Sequence, residues 1–189
     1  EKIIEIAKKN DKTYIMAIGA ITNVALAIKK APDIIEKIKI IWLGGHSPIC
    51  DNNKEFNFRH DVKAIKEIFE SKVDLTIIPC KGVASNLKIS IYELEHYLKG
   101  KNELCNYLCS RFNNDGIHEI QTRRVIWDIS VVAYLINKEW FEEKEMDCPE
   151  INKDLSYSFN KNDRKIKFVT YLDSDKVYSD LFNKLVEKG

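Results

Sequence analysis

Glu55 and Asn57 are the residues whose types and spacing say most about chemistry. An ionised carboxylate offers only hydrogen-bond acceptors, whereas a primary amide offers both donors and acceptors. Two residues apart in an extended segment, such side chains point to one side, and together they can grip vicinal hydroxyls. The same loop has a plainer reading, in which Asn57 and Asp61 only cap the helix that follows.

The loop hangs from an apolar run, Ile38–Leu43, that stops at Gly44-Gly45. A short, nearly continuous apolar run bounded by glycines predicts a strand buried on both faces of a parallel sheet. Ligands of such sheets sit beyond the carboxyl ends of the strands, which is where Glu55 and Asn57 fall. Upstream, an amphipathic helix (Ile3, Ile4, Ile6, Ala7) precedes a buried strand over 13–18, ended by Gly19. A helix over 22–30 and, after Pro32, a short helix over 33–37 lead into the central strand. Downstream, helical spacing over 62–69 and an apolar strand over 73–79 repeat the alternation. Strands alternating with helices over short connections predict an α/β fold with an open, mostly parallel, doubly wound sheet and helices on both faces. Residues 89–99 and 104–112 read as helices, with Ser90 as a cap, and 113–116 as a turn cluster. One helix is predicted over 122–137, with Trp127-Asp128 near its middle, followed by strand-like pieces (146–151, 155–159, 166–171) and a closing helix over 174–186.

Three ordered segments carry a family resemblance. The series Gly44-Gly45, Glu55-Phe56-Asn57 and Asp61 resembles the Met-Gly-Gly, Glu-Phe-Asn, Asp-Pro segment of the inosine-uridine nucleoside hydrolase family, with Leu43 for Met and Val62 for Pro. Residues 17–27, with Gly19 and Thr22-Asn23, resemble its Gly-Pro-Leu-Thr-Asn turn and helix, and 127–135 resemble its His-Asp-Pro-Leu-Ala helix. The resemblance implies an N-ribohydrolase that uses bound calcium. It assigns Asp128 to the metal and to catalysis, the main-chain carbonyl of Ile18 to the metal, and Glu55 and Asn57 to the ribose hydroxyls. Asn52 or Asn53 matches an upstream sugar-binding asparagine. Trp127 replaces the family's histidine; an indole is no acid but can stack on a purine, which favours purine nucleosides as substrates. The resemblance also implies a homo-oligomer.

The signature Asp-x-Asp-x-x-x-Asp-Asp of that family is absent, and Glu1 opens within a helix without a capping residue. Both are expected of the C-terminal two-thirds of a nucleoside hydrolase domain, read here as a single domain over 1–189. The alternative is a shortened, non-catalytic relative that serves as a binding or interaction module. One matched carboxylate, Asp128, is too few for tight calcium binding.

Composition excludes other classes. A net charge of +1 with balanced acids and bases provides no broad footprint for nucleic acid or membrane. With 44% hydrophobic residues, 189 residues suffice for a sizeable core. Five scattered cysteines with no leader or long apolar span before them read as reduced thiols of a cytoplasmic protein. Cys105 and Cys109 share a helix face but lack the partners of a zinc site, so they are assigned to the core. His96 and His118 read as solvated side chains, and Asp173-Ser174-Asp175 as a helix cap in place of a metal motif.

Overall fold

The computed structural model describes residues 1–114 and 123–188. His118 and residues 115–116 of the expected turn cluster lie outside them, and 113–114 end a helix. A five-stranded sheet runs β1 (Thr13–Ala17), β2 (Ile38–Leu43), β3 (Asp74–Ile78), β9 (Lys165–Leu172) and β6 (Phe141–Asp147) in spatial order. The first four strands are parallel and β6 closes the far edge antiparallel to β9. The α/β architecture is therefore the one that the alternation of elements predicts.

β2 is the centre of this arrangement because its apolar side chains serve both faces. Ile38, Ile40 and Trp42 pack in one core cluster with residues of α1 (Lys2–Lys9), α2 (Thr22–Lys30) and α4 (Val62–Glu70), among them Ala7, Val24, Ile65 and Ile68. Ile41 and Leu43 belong to a second cluster with Val131 and Tyr134 of α7 (Ile129–Ile136) and Val177 of α8 (Ser174–Lys188). A third cluster joins α5 (Ile91–Leu98), α6 (Glu103–Asn114) and α8, and it holds Cys105 and Cys109 as the sequence predicts. All five cysteines are free thiols. Among the described residues no helix is long and apolar enough to cross a membrane.

Capping follows the local signals. Ser90 and Glu93 form a reciprocal capping box at α5. Asp61 accepts the Ala64 N–H at 2.9 Å to cap α4 and the Thr22 hydroxyl at 2.6 Å, which ties α2 to α4 and holds its carboxyl below the usual range. Asp173 accepts the Lys176 N–H at 3.1 Å, in the cap role expected of it.

The helix expected over 122–137 is corrected. Arg123–Val125 form a strand, β5, antiparallel to β4 (Lys88–Ser90), and Ile126 donates to the Leu87 carbonyl at 2.9 Å. Only after a turn at Trp127-Asp128 does α7 begin. A neighbouring strand satisfies the backbone of the β-branched Val125-Ile126 pair and overrides the helical spacing of its side chains.

Candidate active site at the carboxyl end of β2

The pairing between β2 and β3 continues past the strands. Gly44 donates to Ile78 O at 3.3 Å, Cys80 to Gly45 O at 2.9 Å and Ser47 to Lys81 O at 3.0 Å. Two glycines are demanded here by space and torsion. A Cβ on Gly44 would lie 2.3 Å from the Trp42 ring, whose Nε1–H is fixed on Gly19 O at 2.9 Å. Gly45 has φ +68°, and a Cβ there would meet Tyr157 Oη at 2.9 Å and Asn53 Oδ1 at 3.1 Å.

Glu55 is the N-cap of a short helix, α3 (Phe56–His60), and is buried. Its Oε1 accepts from Asn57 N–H at 2.8 Å, and its Oε2 from Phe58 N–H at 2.9 Å and Gly45 N–H at 3.0 Å. The Cys80 thiol is a further hydrogen-bond partner of this carboxylate. Asn57 is also buried and donates through Nδ2 to Leu43 O at 2.9 Å. The extended geometry expected for this pair is corrected. Asn57 lies within α3: the Glu55 side chain turns to cap that helix, and the Asn57 side chain turns back to the Leu43 carbonyl at the end of β2.

Of the two candidate asparagines, Asn53 is a brace. Its Oδ1 accepts His46 N–H at 2.7 Å, and its own N–H and Nδ2 both reach Leu155 O, at 2.9 and 3.1 Å. Leu155 belongs to the turn between β7 (Glu150–Ile151) and β8 (Tyr157–Ser158), and it is held at φ 70°. Asn52 closes a local turn by accepting Lys54 N–H at 3.0 Å.

Asp128 stands at the N-terminus of α7, exposed and without a capping bond from its side chain. Partial burial alone pushes its carboxyl upward. Trp127 and the residue that follows β1, Ile18, are 39% and 50% exposed, so both face solvent in a way the Glu55 pair does not. α7 packs beside β1 and β2. Cys80 lies beside Glu55: burial, then the charge of Glu55 and a hydrogen bond to its side chain, and least the charge of Asp128, push the thiol well above the ordinary range. A thiol so placed is not a nucleophile.

His46 is a residue that sequence reasoning passed over, although its place directly after Gly44-Gly45 at the end of a buried strand could have marked it. Its Nδ1 accepts the Lys81 N–H at 3.3 Å, and burial lowers its pKa in spite of the nearby Glu55. Tyr157, whose ring packs edge-on to Phe58 at 5.8 Å, carried no local signal at all.

Calcium takes about six to eight oxygen ligands. Among the described residues no three His, Cys, Asp or Glu side chains stand close enough to hold a metal. Asp128 and the Ile18 carbonyl, as they stand, do not fit that ion.

The family model for "inosine-uridine preferring nucleoside hydrolase" matches residues 1–179. A non-specific ribonucleoside hydrolase, RihC, of Salmonella paratyphi A is 28% identical over 130 residues, covering 67% of this chain and 42% of that protein. RihC of Escherichia coli O127:H6 is 26% identical over 133 residues, 69% of this chain and 43% of its own length. The chain thus spans less than half the length of these curated relatives. The crystal structure of an inosine-uridine preferring nucleoside hydrolase from Bacillus anthracis superimposes with a TM-score of 0.78 at 18% identity, covering 100% of this chain and 65% of that one. At such identity the superposition speaks for the fold alone. Since the family model matches nearly the whole length, the chain belongs to the inosine-uridine preferring nucleoside hydrolase family.

Proposed function

We propose that the protein cleaves the N-glycosidic bond of ribonucleosides, purine nucleosides in preference, to release the base and ribose. One observation supports this reading: hydrogen bonds to the backbone pin Glu55 and Asn57 at the carboxyl end of β2, a carboxylate and an amide of the kinds that bind sugar hydroxyls. Gripping the hydroxyls orients the ring, and contacts that tighten as positive charge grows on the sugar lower the barrier. Asp128 supplies a carboxylate toward that charge, and its lack of a capping bond leaves both oxygens for the reaction. The half-exposed Trp127 ring offers a stacking surface for the leaving base. A calcium ion at Asp128 and the Ile18 carbonyl would require further oxygen ligands from outside the described residues.

A second reading is a non-catalytic module that binds nucleosides. Reducing-sugar release from inosine, adenosine and uridine, with calcium and with chelator, separates the two. Release, greatest with the purines, is expected of the hydrolase; nucleoside binding without release identifies the module.

A further inference from the structure

The Glu55 carboxylate is surrounded by donors of the protein itself. Three backbone N–H groups reach it, from Gly45 at 3.0 Å on the loop after β2 and from Asn57 at 2.8 Å and Phe58 at 2.9 Å on α3. A fourth donor comes from the neighbouring strand. The Cys80 N–H is bound to Gly45 O at 2.9 Å, which sets this residue against the same turn, and its side chain, only 7% exposed, is hydrogen-bonded to that of Glu55. An ionised carboxylate only accepts, so the thiol donates. Burial and the charge of Glu55 keep the proton on sulfur.

A carboxylate has about four acceptor positions, and these four donors fill them. A sugar hydroxyl that bonds to Glu55 must therefore take the place of one donor. The N–H groups of Asn57 and Phe58 cannot withdraw without opening the first turn of α3, nor that of Gly45 without reshaping a turn held at φ +68°. The thiol can withdraw by rotating about one side-chain bond. It is also the weakest of the four, since S–H is a poor donor beside N–H or an alcohol O–H.

We propose that Cys80 is a positioning residue of the sugar site, whose thiol occupies one acceptor position of Glu55 in the free protein and yields it to a ribose hydroxyl when a nucleoside binds. The proposal rests on the assignment of Glu55 to the sugar in the reading above, and not on hydrolysis. A weak donor holds the carboxylate's orientation and competes little with the ligand; a stronger donor at the same place would compete more.

The test compares wild type, Cys80→Ser and Cys80→Ala with inosine as ligand, reading KM, or Kd if no base is released. The serine hydroxyl is expected to raise the constant about tenfold. Alanine leaves the position vacant and is expected to lower it about twofold, and both changes fall on KM, not on kcat. A rise with both variants marks a merely structural thiol and overturns the proposal, as does a change carried by kcat or no change in either. Infrared difference spectra of wild type and Cys80→Ala isolate the S–H stretching band of Cys80. In the free protein it is expected below the band of an unbonded thiol, and it should move up when inosine or ribose is added. A band that stays in place with the ligand bound overturns the proposal whatever the kinetics. Inosine bound, with the band moved and no base released, overturns hydrolysis and keeps the role of the thiol; inosine not bound at all overturns both.

Discussion

The two poles of the candidate site are built in opposite ways. At the Glu55 pole three backbone N–H groups converge on one buried carboxylate, Asn57 is tied to Leu43 O, and Asn53 braces the loop against Leu155. At the Asp128 pole the carboxylate is exposed and uncapped, and Trp127 and Ile18 face solvent beside the edge strand β1. The first pole is held by bonds that belong to the fold itself, so the groups proposed to bind the sugar are fixed by the same contacts. The second has its side chains exposed, with no capping bond from Asp128. Function and stability should therefore be inseparable at one pole and separable at the other.

The strongest test of that contrast is Glu55→Ala. It leaves the N–H groups of Gly45, Asn57 and Phe58 unpaired in a buried site, at a cost of about 3–5 kcal/mol, and thermal unfolding should show Tm lowered by roughly 10 °C or more. Gly45→Ala comes next. Positive φ together with contacts at 2.9 and 3.1 Å should cost about 2 kcal/mol, readable as a lower urea midpoint, and displacement of Glu55 should raise the KM for inosine as well.

A smaller effect comes from His46, whose pKa burial lowers below its ordinary value. In the unfolded chain it takes up a proton more readily than in the folded one, so stability should be complete above about pH 6.5 and decline as pH falls through the lowered folded value. Urea midpoints across this range should show the slope in wild type and a flatter dependence in His46→Gln. At the other pole, Trp127→Ala should leave Tm nearly unchanged and reduce the preference for inosine over uridine by roughly two- to thirty-fold, the loss of a stacking and cation–π contact worth about 0.5–2 kcal/mol.

Which parts of this were legible in the sequence follows the same division. β2, the glycine pair and the Glu55–Asn57 spacing are local: an apolar run and its terminators suffice, and the bounds Ile38–Leu43 are the ones observed. The Asp61 and Ser90 caps are legible for the same reason. What escaped depends on distant pairing. β5 forms because β4, more than thirty residues earlier, lies alongside it, and the helix-like pattern of its side chains concealed that. Asn53, with Asn52 a candidate sugar-binding asparagine, is also tied through its main-chain N–H and its Nδ2 to the carbonyl of Leu155, 102 residues on, which no local pattern shows. His46 stands beside a legible motif, yet its ring's contact with the Lys81 N–H comes from the next strand's loop.

The most direct measurement of the central claim sets turnover against stability in Asp128→Asn. Asp128 has no capping bond and is raised in pKa by burial alone, so the amide should leave Tm within about 2 °C of wild type, while ribose release from inosine falls by about a hundredfold or more. Unchanged release, or a loss of Tm comparable with that of Glu55→Ala, would contradict the account.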